Sequence, residues 1–225
     1  MAHLVAAALI IAAATRGTDG SARGAAARSL DRAATLSVIE TDDDLALVAR
    51  ARQGDDDAFR RLVECHQSAV ARTVFGMLGA GDDADDVGQE TFVRFHQSLA
   101  SFRGNSSVRT YLVRIAMSCA LNALRSQRRR SLRFISDDVA IEQAVDPGSA
   151  VIVGDEAPAG RIQQALAELK PDHRAVVVLR LLDERTTKET ADILQVPEGT
   201  VLSRLSRAVQ QLRVSLGPVW AEFTE

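Results

Sequence analysis

From Thr41 to Arg130 the apolar residues of this 225-residue chain recur three and four apart, and no alternating pattern competes with them. A chain patterned in this way folds into helices. Thr41-Asp-Asp-Asp44 supplies an N-cap and first-turn carboxylates for a helix that stops at Gly54, and Asp55 to Asp57 cap a second. The apolar face of that second helix is Phe59, Leu62, Val63, Val70, Val74 and Met77, and Gly79-Ala-Gly81 ends it. A third helix is expected from Asp83 to Ala100, with Phe92, Phe95 and Leu99 inward and Asp86, Glu90, Val93 and Gln97 outward. Asn105-Ser-Ser107 caps a fourth that runs to Arg130 and buries Leu112, Ile115, Ala116, Cys119 and Ala123.

Residues 131–160 lose the periodicity and collect Asp, Glu, Gly and Pro, with Pro147-Gly148 and Pro158-Ala-Gly160 as breakers. Helicity resumes from Arg161 to Leu169, breaks at Lys170-Pro171 and continues from Asp172 to Leu182. Thr186-Thr-Lys-Glu189 is a capping box for a short helix to Leu194, and Gln195-Val-Pro197 turns into a last helix of about eighteen residues. The expected fold is all-α: an N-terminal helical bundle over 41–130 and a C-terminal helix-turn-helix domain over 161–218, with a tail at 219–225. An acidic flexible linker, 131–160, joins them. Residues 1–40, with the apolar run Leu4 to Ala14 followed by a Gly/Ala/Ser/Arg stretch, read as a disordered or mis-started extension. The run is too short to span a bilayer and lacks the basic flank of a secretion signal.

The formal charge of −3 argues by itself against a nucleic-acid partner, but it is an average over opposed segments. Arg103 to Ser136 holds eight arginines and no carboxylate, whereas Asp137 to Gly160 holds six carboxylates and no cation. On the fourth helix Arg114, Ser118, Asn122, Arg125 and Arg129 step by three or four residues into one polar stripe, which widens into Arg128, Arg129 and Arg130. A solvated helix face ordinarily mixes signs, and one with cations alone repels itself unless a polyanion lies against it. Tyr111 and Phe102 at its start could stack on unpaired bases, but a place in the core is the commoner role of a single aromatic.

The last two helices have the build of a helix-turn-helix. Small Ala191 lies where they must approach, and Val201, Leu205, Ala208 and Leu212 face inward. Thr200, Ser203, Arg204 and Arg207 are left facing out, and no carboxylate occurs between Gly199 and Gly217. The acidic start Asp82-Asp-Ala-Asp-Asp86 suggests either dipole-stabilising carboxylates or a partner-binding face that continues through Gln89, Glu90, Val93 and Arg94. As a magnesium-pyrophosphate site it would need a second acidic cluster, which the chain does not offer. No catalytic residue, metal site or cofactor is expected: the four histidines have no ligand spacing, and Cys65 and Cys119, the only cysteines, build neither a disulfide framework nor a zinc site.

Four segments in order, Asp82-Asp-Ala-Asp-Asp-Val-Gly-Gln-Glu-Thr-Phe92, Phe102-Arg-Gly104, Val108-Arg-Thr-Tyr-Leu-Val-Arg-Ile-Ala116, and Val196-Pro-Glu-Gly-Thr-Val201 with Ser203-Arg-Leu-Ser-Arg207, resemble the extracytoplasmic-function (ECF) class of bacterial RNA polymerase sigma factors. The resemblance covers residues 42–216. It implies a region 2-like domain at 41–130 and a region 4-like domain at 161–218. It implies that Asp85, Asp86, Gln89, Glu90, Val93 and Arg94 bind the clamp helices of the largest polymerase subunit. Arg103, Asn105, Tyr111, Arg114, Ser118, Asn122, Arg125, Arg128 and Arg129 would read and open the minus-10 element. Thr200, Leu202, Ser203, Arg204, Ser206 and Arg207 would meet the minus-35 duplex, with this domain leaning on the flap of the second-largest subunit.

The expected partners are therefore core RNA polymerase, promoter DNA and an anti-sigma factor, with no small-molecule substrate. The expected setting is cytoplasmic, any membrane tether being supplied by the anti-sigma partner. Leu202 and Ser206 depart from the basic and aromatic residues common at those positions, Tyr111 replaces a commoner tryptophan and Ser118 a commoner asparagine. The competing reading is a stand-alone helix-turn-helix regulator that binds duplex DNA without polymerase.

Overall fold

A computed structural model describes the backbone of residues 43–137 and 158–222, and the side chains of 43–130 and 160–217. The expectations for residues 1–40 and for most of the acidic linker lie outside the described residues. Among those described every regular element is helical and there is no strand. Helix α1 spans 43–51. It is followed by α2 (Asp56–Leu78), α3 (Asp82–Ser98) with a 3-10 turn at Leu99–Ser101, and α4 (Val108–Asp137). The C-terminal half holds α5 (Pro158–Glu168), α6 (Pro171–Val177) with a π turn at Val178–Leu182, α7 (Thr187–Leu194) and α8 (Glu198–Glu222).

The caps follow the sequence closely. Asp55 accepts the backbone N–H of Ala58 at 3.0 Å, and Arg50 donates to the same carboxylate at 2.9 Å, so two donors hold the Asp55 carboxyl below its usual range. Helix α2 ends where Gly79 adopts φ 82°, which a side chain would strain. At α4 the Ser107 hydroxyl accepts the N–H of Thr110 at 3.1 Å. At α7 the capping box is complete: Thr186 accepts from the N–H of Glu189, whose carboxylate receives the Thr186 N–H in return.

Three boundaries differ from the sequence reading. Helix α4 continues to Asp137, because Ser131 to Ser136 contains no breaker, so the first residues assigned to the linker are helical. Pro158 opens α5 instead of interrupting the chain, since a proline in the first turn has no N–H to leave unpaired. The expected tail is likewise partly helix: α8 reaches Glu222 across a break at Gly217, where φ is 47°.

Phe95, Leu62, Met77, Leu112 and Met117 fill the centre of the α2–α3–α4 bundle. Each such side chain removed from water contributes about 1.5–3 kcal/mol. Helix α1 is held to α2 by a buried pair, His66 Nε2 to Asp44 Oδ2 at 2.9 Å. The bundle core does not end at its own helices. Ala175, Val178, Leu179 and Ile193 from the C-terminal half belong to the same buried cluster. A second cluster, Ile162, Leu166, Leu169, Val177, Leu181, Ala208, Leu212 and Leu216, joins α5, α6 and α8.

The two halves thus meet along a seam. A Cβ built on Gly76 of α2 would stand 2.9 Å from both Leu182 Cδ1 and Val178 Cγ2, so the π turn rests directly on the α2 backbone. Gln163 donates to the carbonyl of Phe75 at 2.7 Å, and the guanidinium of Arg174 donates to those of Met77, at 2.6 Å, and Ala167. Burial pulls the Arg174 pKa below its ordinary value. Asp183, which follows the π turn, is buried beneath three guanidinium groups, from Arg109 of α4 at 3.2 Å, Arg72 of α2 at 3.6 Å and Arg185 at 2.8 Å. Arg185 also donates to the Thr110 hydroxyl at 3.0 Å.

Candidate nucleic-acid interface

Helix α8 takes its direction from the turn before it. Gln195 occupies the left-handed region at φ 55°, and its N–H bonds back to Ala191. That turn lets Val176, Ala191 and Val201 pack as one small core, with Leu194, Val196 and Leu205 against it. Leu202, Ser203, Ser206 and Arg207 are consequently exposed, while Thr200 and Arg204 are half-buried. The Ser203 hydroxyl is turned back onto its helix and donates to the Thr200 carbonyl. Leu202 is an apolar side chain left 54% exposed.

The sequence reading placed Arg204 outward and free of carboxylates. The fold brings one to it: Asp172 at the start of α6 stands 3.0 Å from the guanidinium. His173 beside it is pushed below its usual pKa by burial and by the cations Lys170, Arg204 and Arg207.

The second face lies on α4. Ser118, Asn122, Arg125 and Arg129 are exposed along one side of the helix with exposed Arg128 and Arg130 flanking it, and the Asn122 side-chain oxygen accepts from Arg125 at 3.2 Å. Arg103 and Asn105 are exposed in the loop before α4, whereas Arg114 is half-buried. Of the two readings for Phe102 the structure has the core one: the side chain is 5% exposed and packs edge-on against Phe95 at 6.5 Å. Tyr111 is half-buried, its ring 5.0 Å from Phe102 and 6.1 Å from Phe95, so the bundle core holds most of it.

The third face, on α3, has the opposite sign. Asp85, Asp86, Gln89, Glu90, Val93 and Arg94 are all exposed, while Val87, Thr91 and Phe95 anchor the other side. Arg94 is committed to Glu90 at 2.6 Å one turn away, and that hydrogen bond raises its pKa. Cys119 lies buried across from this helix, its thiol pushed up by burial.

Models of two conserved families fit these halves: Sigma-70 region 2 matches residues 62–130 and Sigma-70 region 4 matches residues 159–212. RNA polymerase sigma-H factor of Pseudomonas aeruginosa is 30% identical over 194 residues, covering 82% of this chain and all of that one. ECF RNA polymerase sigma-E factor of Escherichia coli K12 is 33% identical, covering 78% of this chain and 95% of its own length. This chain belongs to the ECF RNA polymerase sigma factors. SigW of Bacillus subtilis, at 28% identity over 75% of this chain and 94% of its own, is a further relative.

Solved structures agree in fold with this ECF sigma factor. CnrH in complex with the cytosolic domain of CnrY matches with a TM-score of 0.57 and 26% identity over 77% of this chain and 97% of its own. RpoE in complex with the anti-sigma factor NepR from Bartonella quintana matches with a TM-score of 0.54 and 25% identity over 71% and 97%. The protein is a transcription initiation factor with two helical parts.

The sequence could not show two groups at the seam. Asp183 and Arg174 are polar residues in apolar surroundings, and their partners Arg109 and Met77 lie 74 and 97 positions away. The only signal was their place at the two ends of one largely apolar run, Arg174 just before Ala175 and Asp183 just after Leu182.

Proposed function

We propose that the three faces divide the work of initiation. The exposed carboxylates Asp85, Asp86 and Glu90, with Gln89, Val93 and Arg94, engage the clamp helices of the largest subunit of core RNA polymerase. The α4 stripe, Ser118, Asn122, Arg125, Arg128 and Arg129 with half-buried Arg114 and Tyr111, follows the minus-10 strand together with Arg103 and Asn105. Thr200, Leu202, Ser203, Arg204, Ser206 and Arg207 on α8 enter the minus-35 major groove, while this domain leans on the flap of the second-largest subunit. The working units are 41–130 and 161–218, joined through 131–160.

The observation that carries this reading is the separation of signs: the exposed arginines of α4 and Arg207 of α8 stand on helices other than α3, which bears the exposed carboxylates Asp85, Asp86 and Glu90. Phosphate contacts from the first two supply affinity that falls with salt. The acidic face is barred from DNA by the same electrostatics and is left to a protein partner. Strand opening is driven by capturing unstacked bases, which costs a few kcal/mol and is offset by contacts in the pocket.

The chain acts without catalytic residues or cofactor of its own, since the chemistry belongs to polymerase. It works in the cytoplasm, where polymerase and promoter are. Among the described residues no helix is long and apolar enough to cross a membrane. An anti-sigma partner is inferred from the two solved neighbours, each in complex with a second protein.

In vitro transcription with purified core polymerase tests the whole reading. Promoter-dependent transcripts that require the added protein are expected. A protein that binds duplex DNA at nanomolar concentration without polymerase and yields no transcript is instead a stand-alone regulator.

A further inference from the structure

We propose that Arg52 is a positioning residue for promoter opening: its guanidinium sets the exposed loop 103–105 for capture of an unpaired minus-10 base. The inference deepens the assignment of Arg103 and Asn105 to the minus-10 strand and rests on it.

The geometry where α3 ends carries it. Arg52 closes the last turn of α1, its N–H bonded to the carbonyl of Val48 at 3.0 Å. Its Nε donates to the carbonyl of Leu99 at 2.7 Å, and its Nη2 donates to that of Phe102. These two carbonyls bracket the 3-10 turn, and a guanidinium is a rigid planar fork, so bonding both fixes one relative to the other. The carbonyl of Phe102 lies in the peptide plane that ends at the Cα of Arg103. The residue before that plane is anchored by its ring, which is 5% exposed and packed against Phe95 and Tyr111. Ring and carbonyl together set the direction in which the chain leaves the core.

The same helix touches the loop again two residues on. Gly104 has φ 71°, and a Cβ there would stand 3.4 Å from Leu45 Cδ2. Helix α1 is a firm base for both contacts, since Val48 and Ala51 are buried in the bundle core and Asp44 is paired with His66. Beyond the loop, the Ser107 cap fixes where α4 begins. Arg103, Gly104 and Asn105 are the exposed residues between these supports. A loop set in advance loses little freedom when it closes on a base, so less of the contact energy goes into ordering it. An arginine that only capped α3 would need neither the bond to Phe102, outside the turn, nor the second contact at Gly104.

Full-length Arg52→Ala and Arg52→Lys, each assembled with core polymerase, test this. The probe is a fluorescent single-stranded oligonucleotide bearing the minus-10 sequence that wild-type holoenzyme selects from a random pool, together with its single-base variants. Arg52→Ala is expected to bind the selected strand about three- to tenfold more weakly, with its preference over the variants flattened at the bases the loop reads. Lysine keeps a cation beside the turn but lacks the fork, so Arg52→Lys is expected to recover thermal stability without recovering the preference. Lost stability alone lowers the active fraction and leaves the preference intact, so wild-type preference in either variant overturns the proposal. Should Arg52→Ala fail to fold, Arg52→Lys carries the same comparison.

Arg52 is itself exposed, so direct contact with the strand is the competing role. A double-mutant cycle separates the two. In an Arg103→Ala/Asn105→Ala background, Arg52→Ala is expected to cost nothing further, whereas a full additional loss shows that Arg52 meets the strand directly and overturns positioning. A wild-type holoenzyme that prefers no single strand overturns the minus-10 assignment itself, a result distinct from the others.

Discussion

Arg204 of α8 is paired with Asp172 of α6 at 3.0 Å, so one of the side chains proposed to meet DNA is already bonded within the chain. The Asp172 carboxylate is half exposed, and such a pair contributes little to stability, about 0.2–1 kcal/mol. Its larger effect is on what Arg204 does next. Asp172→Asn is expected to tighten duplex binding about two- to fivefold across all sequences, whereas Arg204→Ala weakens minus-35-dependent initiation about tenfold or more. Titrations of holoenzyme on promoter fragments, with and without the minus-35 element, separate the two. Unchanged initiation by Arg204→Ala on a promoter that needs that element would take this helix off the DNA.

Leu202 is exposed on the same face, where an apolar side chain can read the methyl group of a thymine. Replacing single thymines of a selected minus-35 element by deoxyuridine removes only that methyl. One position should cost wild-type holoenzyme about fourfold, the worth of roughly one buried methylene. Leu202→Ala should be indifferent at that position, and equal sensitivity of both proteins would refute the contact.

Charge reversal on α3 distinguishes the faces. Asp86→Lys and Glu90→Lys are expected to slow association with core polymerase about three- to tenfold, with the difference shrinking as salt rises. Glu90→Lys also frees Arg94 from its partner. Substitution of Ser118 or Asn122 on α4 should change minus-10 preference with core affinity intact. Loss of core binding by the latter pair would show that α4, not α3, carries the polymerase contact.

Stability at low pH depends in part on Glu189. Burial raises its pKa, but the Thr186 hydroxyl, the Thr186 N–H and Arg185 outweigh burial and hold the carboxyl below its usual range. A group with a depressed folded pKa gives its full stabilisation above its unfolded value and loses it as the pH falls through the folded one. Glu189→Gln should therefore lower stability at neutral pH, by about 1 kcal/mol or less, with the gap to wild type closing below about pH 4. Thermal melts from pH 7 to pH 3 measure it, and a gap independent of pH would mean that the charge contributes nothing.

What the sequence revealed and what it hid differ by range. Asp55, Ser107, Thr186 and Glu189 cap helices through atoms two or three residues away, so residue type and spacing were enough to place them. The outward faces of α3 and α4 followed from helical period, and the buried ring of Phe102 from the ambiguity that any aromatic near a core carries. The pairing of Arg204 with Asp172 and the burial of Asp183 under Arg109 depend on how helices pack after they form. No local pattern encodes them. The π turn was equally invisible, because widening one turn leaves the apolar run Val176 to Leu182 unchanged in composition.

The guanidinium of Arg174 bridges a carbonyl of its own half, at Ala167, and one of the other half, at Met77. This has a bearing on dissection of the molecule. A C-terminal fragment would present a basic, apolar scar where Arg174 and Val178 had lain, and an N-terminal fragment would lose the Arg174 donor from the Met77 carbonyl at the end of α2. Purified separately, each piece carries the imprint of the missing one. Mixed, they should re-associate, and assays of single fragments measure surfaces that the whole protein keeps out of solvent.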